Sequence, residues 1–234
     1  MKRRVPYIIC IIFCLATASM FGINNRAPFV ILLNGTSSAG KTSTALAIAR
    51  NTQRSVLMAG ADLLALAMPP SNYERWFART TSIDSAGNTV IQAIPRNAIG
   101  HKLNRSTRQK LVRTFAEEGF DVIADEILKN EERMRGYTEI LDGITIYFVG
   151  LYCDLTALEK REHARGNRPI GLARGQLPVV HQWHPFYDLA LDTTKKSPDE
   201  CAQEILTFIE HTPDPKGLNR CRLAFNMSKK VATD

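Results

Sequence analysis

Beyond its first twenty residues the chain has only three cysteines, Cys153, Cys201 and Cys221, and no two of them have the spacing of a zinc knuckle or a redox C-x-x-C pair. A metal-stapled or disulfide-dense mini-domain is thereby excluded, and in an oxidising compartment three thiols would allow one bridge at most. No internal repeat or low-complexity tract occurs, which excludes solenoid and collagen-like architectures. Charge of one sign is scarce where it would matter. Of the formal +7, Lys2, Arg3 and Arg4 supply three and the residues from 211 onward supply another three, so the body of the chain is close to neutral. That argues against a groove built for nucleic acid. What remains is a composition of 44% hydrophobic and 23% charged residues over 234 positions, enough for one well-buried α/β domain with terminal extensions.

The N-terminus has the three parts of a secretory signal. Lys2 to Arg4 form a basic start, Val5 to about Ala18 an apolar run, and Ala16-Thr17-Ala18 a small-residue cleavage site, giving a signal peptide or anchor over residues 1–19. The run is shorter than the roughly 20 residues that span a bilayer, so cleavage is favoured over anchoring. Membrane contact is expected only through this leader if it stays uncleaved, and the leader points to export: periplasmic, secreted or secretory-pathway. If Met20 is the true start, the protein is cytoplasmic instead.

After the leader, Ala27 to Asn34 reads as a buried parallel strand. It runs into Gly35-Thr36-Ser37-Ser38-Ala39-Gly40-Lys41-Thr42, which satisfies G-x-x-x-x-G-K-[ST], and a helical pattern follows to Arg50. Strand, glycine loop and helix in this order form a phosphate cradle of backbone N–H groups at the positive end of a helix dipole. Lys41 supplies a cation near the β and γ phosphates of ATP, and the Thr42 hydroxyl a ligand for Mg2+.

Four more strands are expected, at Ser55–Ala59, Phe120–Asp125, Ile144–Val149 and Leu189–Asp192. Ligand chemistry gathers at the carboxyl ends of a parallel sheet. Asp62, just past the second strand, is therefore either a base for an attacking hydroxyl or the cap of a helix beginning at Leu63. Asp125, ending the third, is a Walker-B-like magnesium carboxylate, with Glu126 as the alternative. Gly119 closes a helix from about Ala98 to Glu118. Arg161 and Arg165 share a helical face, and Arg168 follows a glycine break at Gly166; arginines on such a lid can neutralise transferring phosphate. The bland alternative, a solvated helix surface salt-bridged through Glu159 and Glu162, suits Arg161 better than Arg165 or Arg168. Ser197-Pro198-Asp199-Glu200 opens the last helix, to Glu210. Residues 211–234, punctuated by Asp214, Pro215 and Gly217, read as a basic, poorly ordered tail.

Several blocks now stand in one order: Ile31 to Lys41, Gly60-Ala61-Asp62, Asp121 to Glu126, Phe148-Val149-Gly150-Leu151-Tyr152-Cys153-Asp154, Arg161 to Arg168 and Asp192-Thr193-Thr194. Together they resemble the chloramphenicol phosphotransferase family of P-loop kinases over about 28–210. The resemblance implies a five-stranded parallel sheet in the order 2-3-1-4-5, flanked by helices, with an arginine-bearing lid. It implies ATP-dependent phosphoryl transfer to a hydroxyl of a small molecule, with Asp62 as base and Arg165 and Arg168 on the phosphate. It assigns the acceptor pocket to Leu63–Gly100, where Met68, Tyr73, Trp76 and Phe77 would pack an aromatic substrate or serve as core. The leader and the tail lie outside the family pattern, and a leader that is used argues for an acceptor other than chloramphenicol. Two other readings share these residues: a toxin-like kinase acting on a nucleotide sugar or nucleic-acid end, and an ATP-binding module without turnover.

Overall fold

The computed structural model describes residues 27–166, 169–183 and 186–231; the leader at 1–19 and Arg168 lie outside them. In chain order the elements begin β1 (Phe29–Asn34), α1 (Lys41–Asn51), β2 (Val56–Met58), α2 (Ala61–Ala67), α3 (Pro70–Trp76), β3 (Phe77–Ile83) and β4 (Thr89–Pro95). There follow α4 (Ala98–Lys102), a π-helical turn (Leu103–Thr107), α5 (Arg108–Glu117), β5 (Asp121–Glu126), α6 (Glu131–Ile140) and β6 (Thr145–Tyr152). The chain closes with α7 (Leu155–Arg165), α8 (Leu172–Gln176), β7 (Leu189–Asp192), α9 (Pro198–His211) and α10 (Gly217–Val231).

Five strands form one parallel sheet in the order β2-β5-β1-β6-β7. Counted within this sheet alone the order is 2-3-1-4-5. The numbering departs from the expected one because an antiparallel hairpin, β3–β4, is inserted between the second and third sheet strands. β1 is central, and its alternation shows why its apolar run is continuous. Val30 and Leu32 enter a core with Val112, Tyr137 and Phe148 on one face. Ile31 and Leu33 enter a second core with Ile48, Leu191 and Ile205 on the other. A strand buried on both faces has no polar side to show.

The expected helix over 98–118 is one path with a local irregularity: α4, the π turn and α5 succeed one another, and Gly119 closes it at φ 91°. The π turn lies against α6, where a Cβ on Gly136 would come within 2.2 Å of the Arg105 carbonyl oxygen. α9 opens with the full capping box, Ser197 and Glu200 bonding each other's backbone N–H.

The tail expectation is corrected. Residues 217–231 are a helix, and Leu218 and Cys221 are buried in the same core as Met134 and Leu141. Leu218, Cys221 and Phe225 recur at i, i+3 and i+7, the stripe of an amphipathic helix. Asp188 fastens its start, accepting from the backbone N–H of Lys216 and Gly217 at 2.8 and 2.7 Å. Cys153, Cys201 and Cys221 are all free thiols and buried.

Candidate active site

The phosphate loop spans Gly35 to Gly40 between β1 and α1. Two physical requirements shape it. Gly35 is pressed against β6, where a Cβ would lie 2.7 Å from the Leu151 carbonyl oxygen, and Gly40 sits at φ 85°. Ser38 also takes a left-handed backbone, φ 63°, a conformation few non-glycine residues adopt. Such strain concentrates where a backbone must present its N–H groups to a ligand. The Ser38 hydroxyl is buried with no hydrogen-bond partner, as a side chain aimed into an anion site would be.

The loop is held from several directions. Lys41 donates its ammonium to the Thr36 carbonyl at 2.7 Å and stands 3.6 Å from an Asp125 carboxylate oxygen. Thr42 donates its hydroxyl to the other Asp125 oxygen at 2.6 Å. Gln176 of α8 accepts the Ser37 N–H at 2.6 Å. The Thr193 hydroxyl donates to the Ala39 carbonyl at 3.0 Å. Asn34, last residue of β1, accepts the Leu128 N–H at 2.8 Å and donates to the Val180 carbonyl at 2.9 Å and the Tyr187 hydroxyl at 2.6 Å. His181 completes that chain on Tyr187 at 2.8 Å and stacks on Tyr152, ring centroids 3.9 Å apart. Burial, and secondarily the Lys41 charge, lowers its pKa to about 4, so the ring is neutral at pH 7.

Of the two carboxylates ending β5, Asp125 turns to Lys41 and Thr42, while Glu126 is buried against Arg108, 3.3 Å from Nη1. Strand alternation assigns them to opposite faces. Asp62 is exposed in the first turn of α2. The helix cap is Gly60, so Asp62 is not itself the N-cap. Gly60 brings this turn to the site: a Cβ there would lie 2.7 Å from the Asp125 carbonyl oxygen and 2.9 Å from its Cβ.

Arg161 stands closer to the loop than the sequence suggested. Its guanidinium reaches the Thr193 carbonyl at 2.7 Å, the Cys153 sulfur at 3.3 Å and the Ser38 carbonyl at 3.4 Å. Arg165, one turn on, is exposed and lines with Arg161, Lys41 and Thr44 a cavity of about 500 Å3 that reaches the start of α9. The alternative of a solvated helix surface does not hold for Glu162, which is buried and accepts the Gly171 and Ala173 N–H groups at 3.0 and 2.7 Å, anchoring α8.

The segment from Pro169 to Gln176, beyond the glycine break, packs on the hairpin. The Ile91 N–H donates to the Gly171 carbonyl at 3.0 Å, and Arg174 bridges Asp84 at 3.0 Å and Glu159 at 2.8 Å. Within Leu63–Gly100, Phe77 is core, while Met68, Tyr73 and Trp76 are half-buried. Tyr73 and Phe77 lie 5.2 Å apart between ring centroids.

A phosphate loop on the central strand of a 2-3-1-4-5 parallel sheet, with a neighbouring strand's carboxylate on its threonine, defines a P-loop kinase fold. Solved structures agree on the fold. An APS kinase, CysC, from Mycobacterium tuberculosis, solved with AMPPNP and APS, superposes with TM-score 0.56 at 19% identity, over 79% of this chain and 98% of that one. A gluconokinase from Sinorhizobium meliloti gives 0.53 at 22% identity, over 88% and 99%. The chain belongs to the chloramphenicol phosphotransferase-like protein family, whose model matches residues 28–210. Among curated relatives, "Putative O-phosphotransferase Rv2636" of M. tuberculosis is 29% identical over 202 residues, 84% of this chain and 88% of that protein.

Proposed function

We propose that this protein moves the γ-phosphoryl group of ATP to a hydroxyl of a small molecule. The observation that carries the reading is the convergence of Lys41, Thr42 and Asp125 beside the buried, unpartnered Ser38 hydroxyl. The hydroxyl of Thr42 and the carboxylate of Asp125 are hard oxygen donors of the type Mg2+ takes, with phosphate and water completing the shell. Bound Mg2+ would supply charge neutralisation across the phosphate oxygens.

The chain's own residues account for the rest. The loop's backbone N–H groups and Ser38 orient the phosphates, and Lys41 turns from Thr36 to the transferring group. Arg161 and Arg165 offset charge on its oxygens. Asp62 takes the acceptor's hydroxyl proton while that oxygen bonds to the γ-phosphorus and the bond to the β,γ-bridging oxygen breaks, releasing ADP. Arg168 joins the arginines by the family resemblance. The leader keeps export as part of the proposal.

The test is mass-spectrometric detection of phosphorylated acceptor after incubation with Mg2+ and ATP, with chloramphenicol first in the panel. Asp62→Asn should lose product by about 100-fold or more while still binding ATP. Equal product from the variant would remove Asp62 from the role of base, and ATP binding without product from any acceptor would remove the phosphotransferase reading.

A further inference from the structure

A second concentration of charge lies one residue along β5 from Asp125. Glu126 is 1% exposed and receives Nη1 of Arg108 at 3.3 Å. Two further cations stand within electrostatic reach of Arg108. Arg133, 9% exposed in the first turn of α6, donates to the Ile127 carbonyl and to Asn104 Oδ1, each at 2.7 Å. Lys129, in the loop between β5 and α6, donates to the Ala93 carbonyl of β4.

One carboxylate, reached by Arg108 and Arg133, thus stands in a group of three cations in a largely dry setting. The mutual repulsion registers on the bases themselves. Burial first, then Arg133 and Arg108, lowers the Lys129 pKa to about 8; burial first, then Arg108, brings Arg133 down to about 10. Capacity is also left over on the cations: Nε of Arg108 and Nε of Arg133 are buried without a hydrogen-bond partner, while the Tyr137 hydroxyl stands by the Glu126 carboxylate. Uncompensated buried charge is destabilising, and bracing the β5–α6 loop would need only one arginine on Glu126.

The position says what the excess charge faces. Its floor is the end of β5, which also carries Asp125. Its roof is the segment between β2 and β5: Ala93 of β4 receives Lys129, and Tyr73 of α3 lies within electrostatic reach of Arg133. These are the elements expected to build the acceptor pocket.

We propose that Arg108, Lys129 and Arg133 form the anion-binding part of the acceptor site, so that the hydroxyl compound phosphorylated here carries a carboxylate, sulfate or phosphate group. This rests on the phosphotransferase reading above. Arginine and lysine donors recognise all three anions by the same charge-assisted hydrogen bonds, and separate arms of the test distinguish them.

The protein is first loaded with Mg2+ and AMPPNP, so that the phosphate loop is occupied, and then titrated calorimetrically with acetate, sulfate or inorganic phosphate at ionic strength held constant with chloride. Saturable binding of at least one oxyanion is expected, weakened about tenfold or more in Lys129→Gln and retained in Lys129→Arg. Unchanged AMPPNP affinity in both variants shows that the fold survives. No saturable oxyanion binding, or equal binding by Lys129→Gln, overturns the proposal and leaves the kinase reading standing. Failure of the wild type to bind AMPPNP removes the kinase reading and the proposal with it. In a parallel transfer assay, hydroxy acids or hydroxy-phosphates should be phosphorylated in preference to their neutral amides or alcohols, and Lys129→Gln should lose that preference; a neutral acceptor used by the wild type as well as its anionic counterpart overturns the proposal.

Discussion

Thr42 and Asp125 are joined by a hydrogen bond of 2.6 Å that ties the first turn of α1 to the end of β5. Two oxygens so placed, with Lys41 alongside, are where the proposed Mg2+ would sit. Asp125→Asn should lower phosphoryl transfer by about 100-fold with a melting temperature close to wild type, and added Mg2+ should recover part of the loss. A steady-state Mg2+ titration measures both; full activity at ordinary Mg2+ would remove Asp125 from the metal role.

Gly60 tests whether the α2 turn and the β5 carboxylate act as one unit. A methyl group there meets the Asp125 backbone, which has little freedom to shift. Gly60→Ala should destabilise by about 1–3 kcal/mol, seen as a melting temperature several degrees lower, and should also reduce turnover, because Asp62 and Asp125 are moved apart. A variant with wild-type stability would show the close approach to be relaxed in solution.

His181 gives a pH dependence. Folded, its pKa is about 4; unfolded, it returns to about 6.5. Between these values the unfolded chain binds more protons, so this group's contribution to stability is present above pH 6.5 and is lost as pH falls towards 4. Melting temperatures of wild type and His181→Gln should converge across that window as the pH is lowered. Parallel curves would show that His181 does not titrate differently on folding.

Lys129 acts over a different window. Its folded pKa of about 8 lies below the unfolded value, so between pH 8 and about 10.4 the unfolded state holds the extra proton and stability rises with pH. Lys129→Gln should remove that rise in thermal denaturation. A slope unchanged by the substitution would mean that the lysine is better hydrated than its setting indicates.

The C-terminal helix makes a prediction about truncation. The matched family region stops at residue 210, yet Leu218 and Cys221 beyond it are buried with Met134, Tyr137 and Leu141. A chain ended after His211 should therefore lose several kcal/mol or fail to stay soluble, and Leu218→Ala alone should cost about 2–5 kcal/mol. Chemical denaturation of the variant measures this directly.

The part of the site nearest the phosphate was legible in the sequence because it is built locally. A glycine loop, the strand before it and the helix after it follow from contiguous residues, and so does the capping box at Ser197. Asp125 could be separated from Glu126 only by knowing which face of β5 meets α1. Arg161 was underrated for a similar reason: its helical spacing was visible, but its docking on Thr193 and Ser38 joins residues far apart in the chain. The hairpin did leave a signal, since Asp84-Ser85-Ala86-Gly87-Asn88 is turn-rich and Thr89 to Pro95 is β-prone. What fixes the hairpin in place lies far along the chain, at Gly171 and Arg174, which residues 63–100 alone do not show. In the tail, Asp214, Pro215 and Gly217 break the chain locally, and the apolar stripe behind them gains its meaning only against Met134 and Leu141.

The contact between α8 and β4 ties the hairpin to the helix that holds the phosphate loop. Gly171 and Gly175 allow no side chain between the backbones, since a Cβ on either would lie within 2.3 Å of a β4 carbonyl oxygen, Thr89 or Ile91. Gln176, at the end of the same short helix, holds the phosphate loop. A movement that lifts this helix from the nucleotide has to carry the hairpin with it or break that backbone seam. Under the proposed function, acceptor entry and nucleotide release would then be parts of a single mechanical event, and a crosslink between the hairpin and α8 should leave each able to move only as the other does.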